Sequence, residues 1–211
     1  MDNVLKALML CRDTKGVHVE LANPHYYKMP NGQMVAFAAD MHTMLICKNV
    51  EGFFDKYDFE PTVTPNIATA IPTEACNQEL VVSKLCETFA QVPTLPYVWQ
   101  ECKECDGCGE VTWTYKSHTR LFDCPECGGK GLIKAAGEMP DDSYAISIGG
   151  HQFKVRDIEK LINVFNLLGI ETMPMVATKA VTKFENADYI VLATHITPGY
   201  ERTKKNIISY E

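Results

Sequence analysis

The apolar positions at the amino terminus repeat with the spacing of a helix. Val4, Leu5, Leu8 and Cys11 fall on one helical face, which predicts an amphipathic helix at the start of the chain. Residues 17–22 then alternate, with Val17, Val19 and Leu21 on one side and the other three residues on the opposite side, a pattern typical of a half-buried strand. The opening of the chain is therefore predicted to be a helix followed by β structure.

Two apolar runs after the turn tripeptide Pro30-Asn31-Gly32 predict a β-hairpin. The runs cover 34–39 and 41–47, and they are interrupted near Asp40. Residues 49–78 are rich in Pro, Thr and Asp, which predicts irregular structure. A helical stripe follows, formed by Leu80, Val81, Leu85, Phe89 and Val92.

The carboxyl-terminal third predicts a strand, a helix and three further strands. Residues 144–148 alternate as a strand that ends at Gly149-Gly150. The helix is predicted at 156–168, with Gly169 as its stop signal. Its apolar stripe is Ile158, Leu161, Ile162, Phe165 and Leu168. The strands are predicted at 171–176, 178–184 and 188–196, with a short edge strand at 206–210.

Two copies of the motif C-x-x-C-x-G-x-G, at 102–109 and 124–131, carry the strongest chemical signal in the chain. Four thiolates in two close pairs suit a tetrahedral Zn²⁺ ion, and the glycines permit the left-handed backbone that each tight turn needs. We therefore predict one structural zinc ion, with the ligands Cys102, Cys105, Cys124 and Cys127. The alternatives are scattered buried cysteines or a disulfide, and Cys108 is a candidate substitute ligand or redox group.

The segment between the two cysteine motifs predicts a β-hairpin with strands at 110–115 and 119–123. Trp113, Tyr115 and Phe122 are expected to cover the metal site. The repeated motif resembles the zinc domain of J-domain co-chaperones, in which four such repeats are usual. Two repeats imply one metal ion, and the chain has no His-Pro-Asp signature of a J-domain helix.

Composition narrows the classes of protein that the chain can represent. A length of 211 residues with 46% apolar content is enough for one core and a small module. The net charge of −7 argues against a nucleic-acid-coating protein and a polybasic membrane binder. Nine cysteines without a secretion signal indicate a reducing compartment, so we expect a cytoplasmic protein that does not bind a membrane.

The order of elements predicts an α+β fold in which a βαβββ unit is doubled and interrupted by the zinc hairpin. The predicted boundaries are 1–98 for the first half, 99–135 for the insert and 136–211 for the second half and tail. This order resembles a domain of the DNA sliding clamps, the bacterial beta clamp and proliferating cell nuclear antigen. Three segments carry the resemblance: 34–46, 144–153 and 189–196.

The chain departs from the clamp pattern in several places. Ala39 and Met41 stand where the clamp turn carries Thr and Gly. The chain has material for one clamp domain, so a closed ring would need about six copies. The first strand of the amino-terminal half is missing, and we expect 206–210 to fold back and supply it.

The clamp resemblance implies a non-enzymatic accessory factor in DNA transactions. Its partners would be duplex DNA, replication proteins and further copies of the chain. The helices of a clamp contact DNA phosphates through basic side chains, for which the candidates are Lys6, Lys154, Arg156 and Lys160. On the zinc hairpin, Lys116 and Arg120 are candidate nucleic-acid contacts, and docking of a partner or nucleic acid through these two residues with Trp113, Tyr115 and His118 is an alternative to a purely structural role.

Other interpretations of these residues remain open. Arg156 and Lys160 can pair at helical spacing with Asp157 and Glu159 on a solvated helix face. The alternative function is a zinc-hairpin protein-interaction or chaperone-like module on an unrelated α+β fold. The chain lacks the common catalytic motifs, and Asp40 with His42 is a close acid–histidine pair without further support for catalysis, so we expect no enzyme.

Overall fold

The computed structural model describes residues 2–14, 18–50, 52–53, 56–59, 61, 66–196 and 206–211. The chain divides into two compact units. The main unit comprises Met1–Val92 and Asp142–Glu211, and the hairpin unit comprises Pro93–Asp141.

The main unit contains three α-helices and ten strands among its described residues. The helices are α1 (Asn3–Cys11), α2 (Val82–Phe89) and α3 (Val155–Leu167). The first group of strands is β1 (His25–Lys28), β2 (Met34–Ala39), β3 (Thr43–Cys47) and β4 (Gln78–Val81). The second group is β11 (Tyr144–Ile148), β12 (His151–Lys154), β13 (Thr172–Ala177), β14 (Val181–Glu185), β15 (Tyr189–Thr194) and β16 (Asn206–Ser209).

The hairpin unit consists of short antiparallel strand pairs. Its strands are β5 (Thr94–Leu95), β6 (Val98–Glu101), β7 (Glu110–Tyr115), β8 (His118–Asp123), β9 (Leu132–Ala135) and β10 (Met139–Pro140). Strand β5 pairs with β10, β6 with β9, and β7 with β8. Among the residues that the structure describes, no helix is long and apolar enough to cross a membrane.

A seven-stranded antiparallel sheet forms the framework of the main unit, in the order β1-β2-β3-β15-β14-β13-β4. The two central strands, β3 and β15, pair directly, so that Leu45 lies opposite Val191. Each of them closes a run of three strands that follows a helix, α1 in the first run and α3 in the second. The predicted α+β fold with a doubled helix and three-strand unit is therefore confirmed.

Apolar side chains cover both faces of this sheet. On one face, Leu8 of α1, Leu85 of α2 and Phe165 of α3 belong to the main core, and all three are fully buried. The rings of Phe165 and Phe184 meet edge to face at 5.7 Å, which joins α3 to the sheet. Helix α1 also packs against α3. A second cluster, which includes Phe37, lies on the opposite face.

The predicted strand at 17–22 is wrong, because Val19–Leu21 forms a 3₁₀ turn. Asp13 stabilises this turn: its carboxylate accepts a bond from the His18 N–H at 2.6 Å, and its own N–H donates to the Leu21 carbonyl. Residue 17 lies outside the described residues. Strand β1, which pairs with the outer side of β2, was not revealed by the alternation pattern.

The predicted helix at 80–92 begins later than its apolar stripe. Leu80 and Val81 belong to β4, where they lie opposite Met173 and Thr172. The predicted strand at 206–210 is present as β16, which pairs in parallel with β11, the strand that opens the second half. Beyond β16, the hydroxyl oxygen of Tyr210 accepts a hydrogen bond from the Val81 N–H at 2.8 Å.

Candidate functional site

The four cysteines of the repeated motifs converge in the hairpin unit. All four Sγ atoms lie within 4.8 Å of one another, with Cys102 and Cys124 at 3.8 Å and Cys105 and Cys127 at 3.9 Å. A tetrahedral zinc ion with Zn–S bonds of about 2.3 Å requires S···S distances of about 3.8 Å. A disulfide requires about 2.05 Å. The thiols are therefore spaced for one metal ion and too far apart for disulfides.

Backbone hydrogen bonds join the two cysteine motifs to each other. The Cys102 N–H donates to the Gly131 carbonyl at 2.9 Å, and the Cys124 N–H donates to the Gly109 carbonyl at 2.8 Å. Each bond runs from the first cysteine of one motif to the last glycine of the other. The repeated sequence thus produces a repeated geometry around the thiols.

The last glycine of each motif also donates its N–H to a cysteine sulfur. Gly109 donates to Cys105 Sγ and Gly131 to Cys127 Sγ, both at 3.2 Å. Such bonds favour the thiolate, the form that binds metal. Burial, together with the neighbouring thiols, raises the pKa of Cys105. Burial raises the pKa of Cys127 as well, but the Gly131 N–H and the neighbouring thiols outweigh it and lower that pKa.

Steric contact explains why these positions are glycines. At Gly109 a Cβ atom would lie 2.5 Å from the Gly129 carbonyl oxygen, and at Gly131 it would lie 2.2 Å from the Gly107 oxygen. Both residues also have positive φ, +83° and +70°. Any side chain would separate the two motifs and strain the backbone. The last glycine of each motif is therefore required by the packing of one motif against the other.

The side chains that pack around the thiol cluster are not those predicted from the sequence. Val111 and Ile133 pack against the cysteines. Trp113, Tyr115 and Phe122 are instead 65%, 73% and 51% exposed, so the prediction that they cover the metal site is wrong. These three rings stand along a hairpin that has no core of its own to bury them.

Cys108 lies outside the cluster. It is exposed, and its thiol donates to the Glu110 carbonyl at 3.1 Å.

The predicted basic residues of the main unit lie at or near its packed helices. Lys6 on α1 and Arg156 on α3 are exposed, and Lys154 is partly buried at the residue before α3. Among the described solvent-facing residues of α1 and α3, Glu159 is the only acid. The other solvent-facing residues of these two helices are Asn3, Leu10, Asn163 and Asn166.

Lys160 is held in an ion pair. Its ammonium group donates to the carboxylate of Asp40, and the side chains of the two residues are only 23% and 17% exposed. Neither Asp157 nor Glu159, the expected partners at helical spacing, makes this contact. Asp157 is buried at the base of the helix, and burial raises the pKa of its carboxyl group.

A cleft of about 210 Å³ lies beside this ion pair, and its charges are mixed. Three carboxylates and two cations line it, together with a histidine: Asp13, Thr14, Asp40, Met41, His42, Arg156, Asp157 and Lys160. Asp40 meets His42 through the backbone, since its carboxylate accepts the His42 N–H at 2.7 Å. The His42 ring lies 3.4 Å from Thr194 Oγ1. Asp40 and His42, the acid–histidine pair noted in the sequence, therefore belong to the turn that joins β2 to β3.

The remaining predicted residues, Lys116 and Arg120, belong to the hairpin unit. Lys116 forms the tip of the β7–β8 hairpin, and Arg120 lies opposite Trp113. The structure thus divides the six basic candidates into two groups, four in the main unit and two in the hairpin unit.

Comparison with solved structures finds bacterial sliding clamps. The DNA polymerase III subunit beta of Borrelia burgdorferi superimposes with a TM-score of 0.50 at 11% identity, over 93% of this chain and 62% of that one. The fold is that of a sliding clamp. The beta chain of Streptococcus pneumoniae gives 0.48 at 10% identity, covering 95% and 63% of the two chains. That of Thermotoga maritima gives 0.47 at 13% identity, covering 94% and 63%.

The clamp-like chain spans less than two thirds of the length of these clamps. The assignment of the fold rests on the Borrelia structure, together with the sheet topology described above. No family model and no curated protein matches the sequence. The resemblance of the cysteine motifs to J-domain co-chaperones stays a prediction from the sequence.

Proposed function

We propose that this protein is a non-enzymatic, clamp-like scaffold for DNA transactions that contacts duplex DNA through the surface of α1 and α3. One observation carries the proposal. In a chain with a net charge of −7, the solvent-facing side of these two packed helices bears Lys6 and Arg156 and a single acid. The sliding-clamp fold supports the same assignment, because its helices are the elements expected to face DNA.

Contact through this surface would be with phosphates and would not read base sequence. Lysine and arginine side chains neutralise phosphate oxygens and release counterions, which gives affinity that depends steeply on salt. Lys6, Lys154 and Arg156 are the residues to which we assign this role. The charge of Lys160 is compensated by Asp40, so its contribution to DNA contact is smaller.

We further propose that the scaffold works as an oligomer and binds replication proteins. The support for this proposal is the sliding-clamp fold, which the chain shares with the Borrelia burgdorferi subunit.

We propose that the thiol cluster holds one Zn²⁺ ion with a structural role. Four cysteine ligands close the coordination shell, which leaves no open position for a substrate. Zinc bound here would supply a cross-link between the two cysteine motifs. Among the described residues, the only apolar side chains packed against this cluster are Val111 and Ile133. The free energy of metal binding would therefore contribute directly to folding of the hairpin unit.

Duplex binding tests the assignment of the α1–α3 surface. The measurement is fluorescence anisotropy of a labelled duplex with the zinc-loaded protein over a range of salt concentrations. Lys6→Glu combined with Arg156→Glu should weaken binding and reduce the salt slope by about 1.8, because each lost phosphate contact removes about 0.9.

A matched control applies the same change of charge elsewhere on the main unit. Lys28 and Lys179 are exposed and belong to neither helix, since Lys28 is the last residue of β1 and Lys179 lies in the turn between β13 and β14. The double variant Lys28→Glu, Lys179→Glu should retain the slope. Equal loss in both double variants would mean that total charge, not the α1–α3 surface, determines binding.

A further inference from the structure

The β7–β8 hairpin presents one face that is both aromatic and basic. Directly opposed residues of an antiparallel pair share a face, and so do alternate residues along a strand. The register therefore places Trp113, Arg120, Tyr115 and His118 together, with Val111 and Phe122 nearer the thiol cluster. Trp113 and Tyr115 are 65% and 73% exposed. The opposite face carries Thr112, Leu121, Thr114 and Thr119.

Charge is segregated on this hairpin. Residues 111–122 contain Lys116, His118 and Arg120 and no acidic residue, although the whole chain has 27 acidic and 20 basic side chains. The acidic residues of the hairpin, Glu110 and Asp123, form the pair at its base. The exposed end of the hairpin is thus positive and aromatic.

Lys116 occupies a backbone conformation that lysine does not favour. Its φ is +55°, the left-handed region in which hairpin turns normally place Gly or Asn. The side chain is exposed, and its ammonium group lies over the Tyr115 ring, 5.4 Å from the ring centre. Strained residues of this kind concentrate at binding sites.

We propose that this face of the hairpin, called the aromatic face below, binds single-stranded nucleic acid. Unpaired bases would stack on Trp113 and Tyr115, which lie about 6.8 Å apart along one strand. Lys116 and Arg120 would contact the phosphates. A duplex buries the faces of its bases within the stack, so exposed rings favour a single strand as the ligand.

The thiol cluster gives this face a rigid support. Strands β7 and β8 join the two cysteine motifs, whose backbones bond to each other on both sides of the cluster. Rings held on a fixed support lose little conformational freedom when a base stacks on them. The inference goes beyond the proposed function, which concerns duplex DNA at the α1–α3 surface.

Binding of fluorescein-labelled oligo(dT) and oligo(U) to the zinc-loaded full chain tests the proposal. Trp113→Ala combined with Tyr115→Ala should weaken binding at least tenfold, the expected loss when stacked bases lose their platforms. Lys116→Gln combined with Arg120→Gln should reduce the salt slope by about 1.4, from about 0.7 per phosphate contact of a single strand. Comparison of the two oligonucleotides distinguishes DNA from RNA as the source of the strand.

Two controls keep the result specific. Thr112→Ala with Leu121→Ala changes the opposite face of the same hairpin and should leave affinity unchanged. Lys6→Glu with Arg156→Glu should weaken duplex binding much more than single-strand binding, and the Trp113, Tyr115 variant should do the reverse, which separates this inference from the proposed duplex site. Each variant must retain one equivalent of bound zinc, so that a loss of affinity reports the lost side chains and not unfolding.

Three results would overturn the inference. The first is that the wild-type protein does not bind either oligonucleotide. The second is that the Trp113, Tyr115 variant binds both as tightly as the wild type while retaining its zinc. The third is that a labelled poly-glutamate peptide binds the same face more tightly than the oligonucleotides, which would identify an acidic protein as the partner.

Discussion

Lys160 on α3 donates a hydrogen bond to the carboxylate of Asp40, which lies 120 residues earlier in the chain. The other carboxylate oxygen of Asp40 accepts the N–H groups of His42 and Thr43, both at 2.7 Å. One side chain therefore closes the β2–β3 turn of the first half and binds the helix of the second half.

Asp40→Ala should destabilise the protein by about 2–4 kcal/mol, because it removes the hydrogen bonds to two N–H groups of the turn and the hydrogen-bonded partner of a mostly buried ammonium group. Lys160→Met should cost less, since its partner retains both backbone donors. Urea unfolding of the two single variants and the double variant gives their coupling energy. Additive effects in this cycle would show that the ion pair does not couple the two halves.

Gly131→Ala should prevent the two cysteine motifs from closing, because the new Cβ would lie 2.2 Å from the Gly107 carbonyl oxygen. The expected result is loss of zinc from the hairpin unit, measured as metal content after gel filtration.

Gly128→Ala is the matched control. Gly128 also has positive φ, +59°, but its Cβ would meet no atom within 4 Å. It should therefore retain zinc and lose only about 1 kcal/mol of stability. Retention of zinc by both variants would contradict the packing argument.

Cys102→Ser and Cys127→Ser should each abolish stoichiometric zinc binding and unfold the hairpin unit. Cys108→Ser should retain one equivalent, because this thiol lies outside the cluster and bonds to the Glu110 carbonyl. Metal content measured by atomic emission checks both expectations. One equivalent of zinc in the Cys102 or Cys127 variant would refute the ligand assignment, and loss of zinc in the Cys108 variant would add Cys108 to the ligands.

His195 should make stability depend on pH. Burial, with a smaller effect from the stacked His151 ring at 4.1 Å, lowers the pKa of His195 to about 4. The unfolded chain takes up this proton near pH 6.5, so the unfolding free energy falls as the pH decreases from about 6.5 to about 4. The contribution is on the order of 1–2 kcal/mol after solvent screening at this half-buried site.

Urea unfolding at a series of pH values checks this expectation. His195→Gln should flatten the slope in that window relative to the wild type. An identical slope in the wild type and the His195 variant would contradict the assignment.

The parts of the structure that depend on short-range patterns were predicted from the sequence. The helix at the amino terminus, the β2–β3 hairpin and α3 followed from apolar periodicity, and the four convergent cysteines followed from their spacing. The order of these elements also predicted the clamp-like fold. Apolar periodicity and cysteine spacing are local patterns, so they can be recognised in a single sequence.

The parts that failed depend on contacts between distant segments. Leu80 and Val81 have a helical pattern, but pairing with β13 makes them a strand. Alternation at 17–22 was overridden by hydrogen bonds from Asp13. No local pattern identifies Asp40 as the partner of Lys160. The exposure of Trp113 also could not be predicted, because an aromatic residue in a strand is usually buried against a core.

The solution mass of the zinc-loaded protein, with and without duplex DNA, tests the proposed clamp-like scaffold most directly. Multi-angle light scattering should show an oligomer, or a monomer that assembles when duplex is added. The Lys6→Glu, Arg156→Glu variant should lose the response to DNA while retaining its fold. A monomer whose mass does not change with DNA would contradict the proposed function, because the protein would then have the clamp-like fold but neither assemble nor bind DNA.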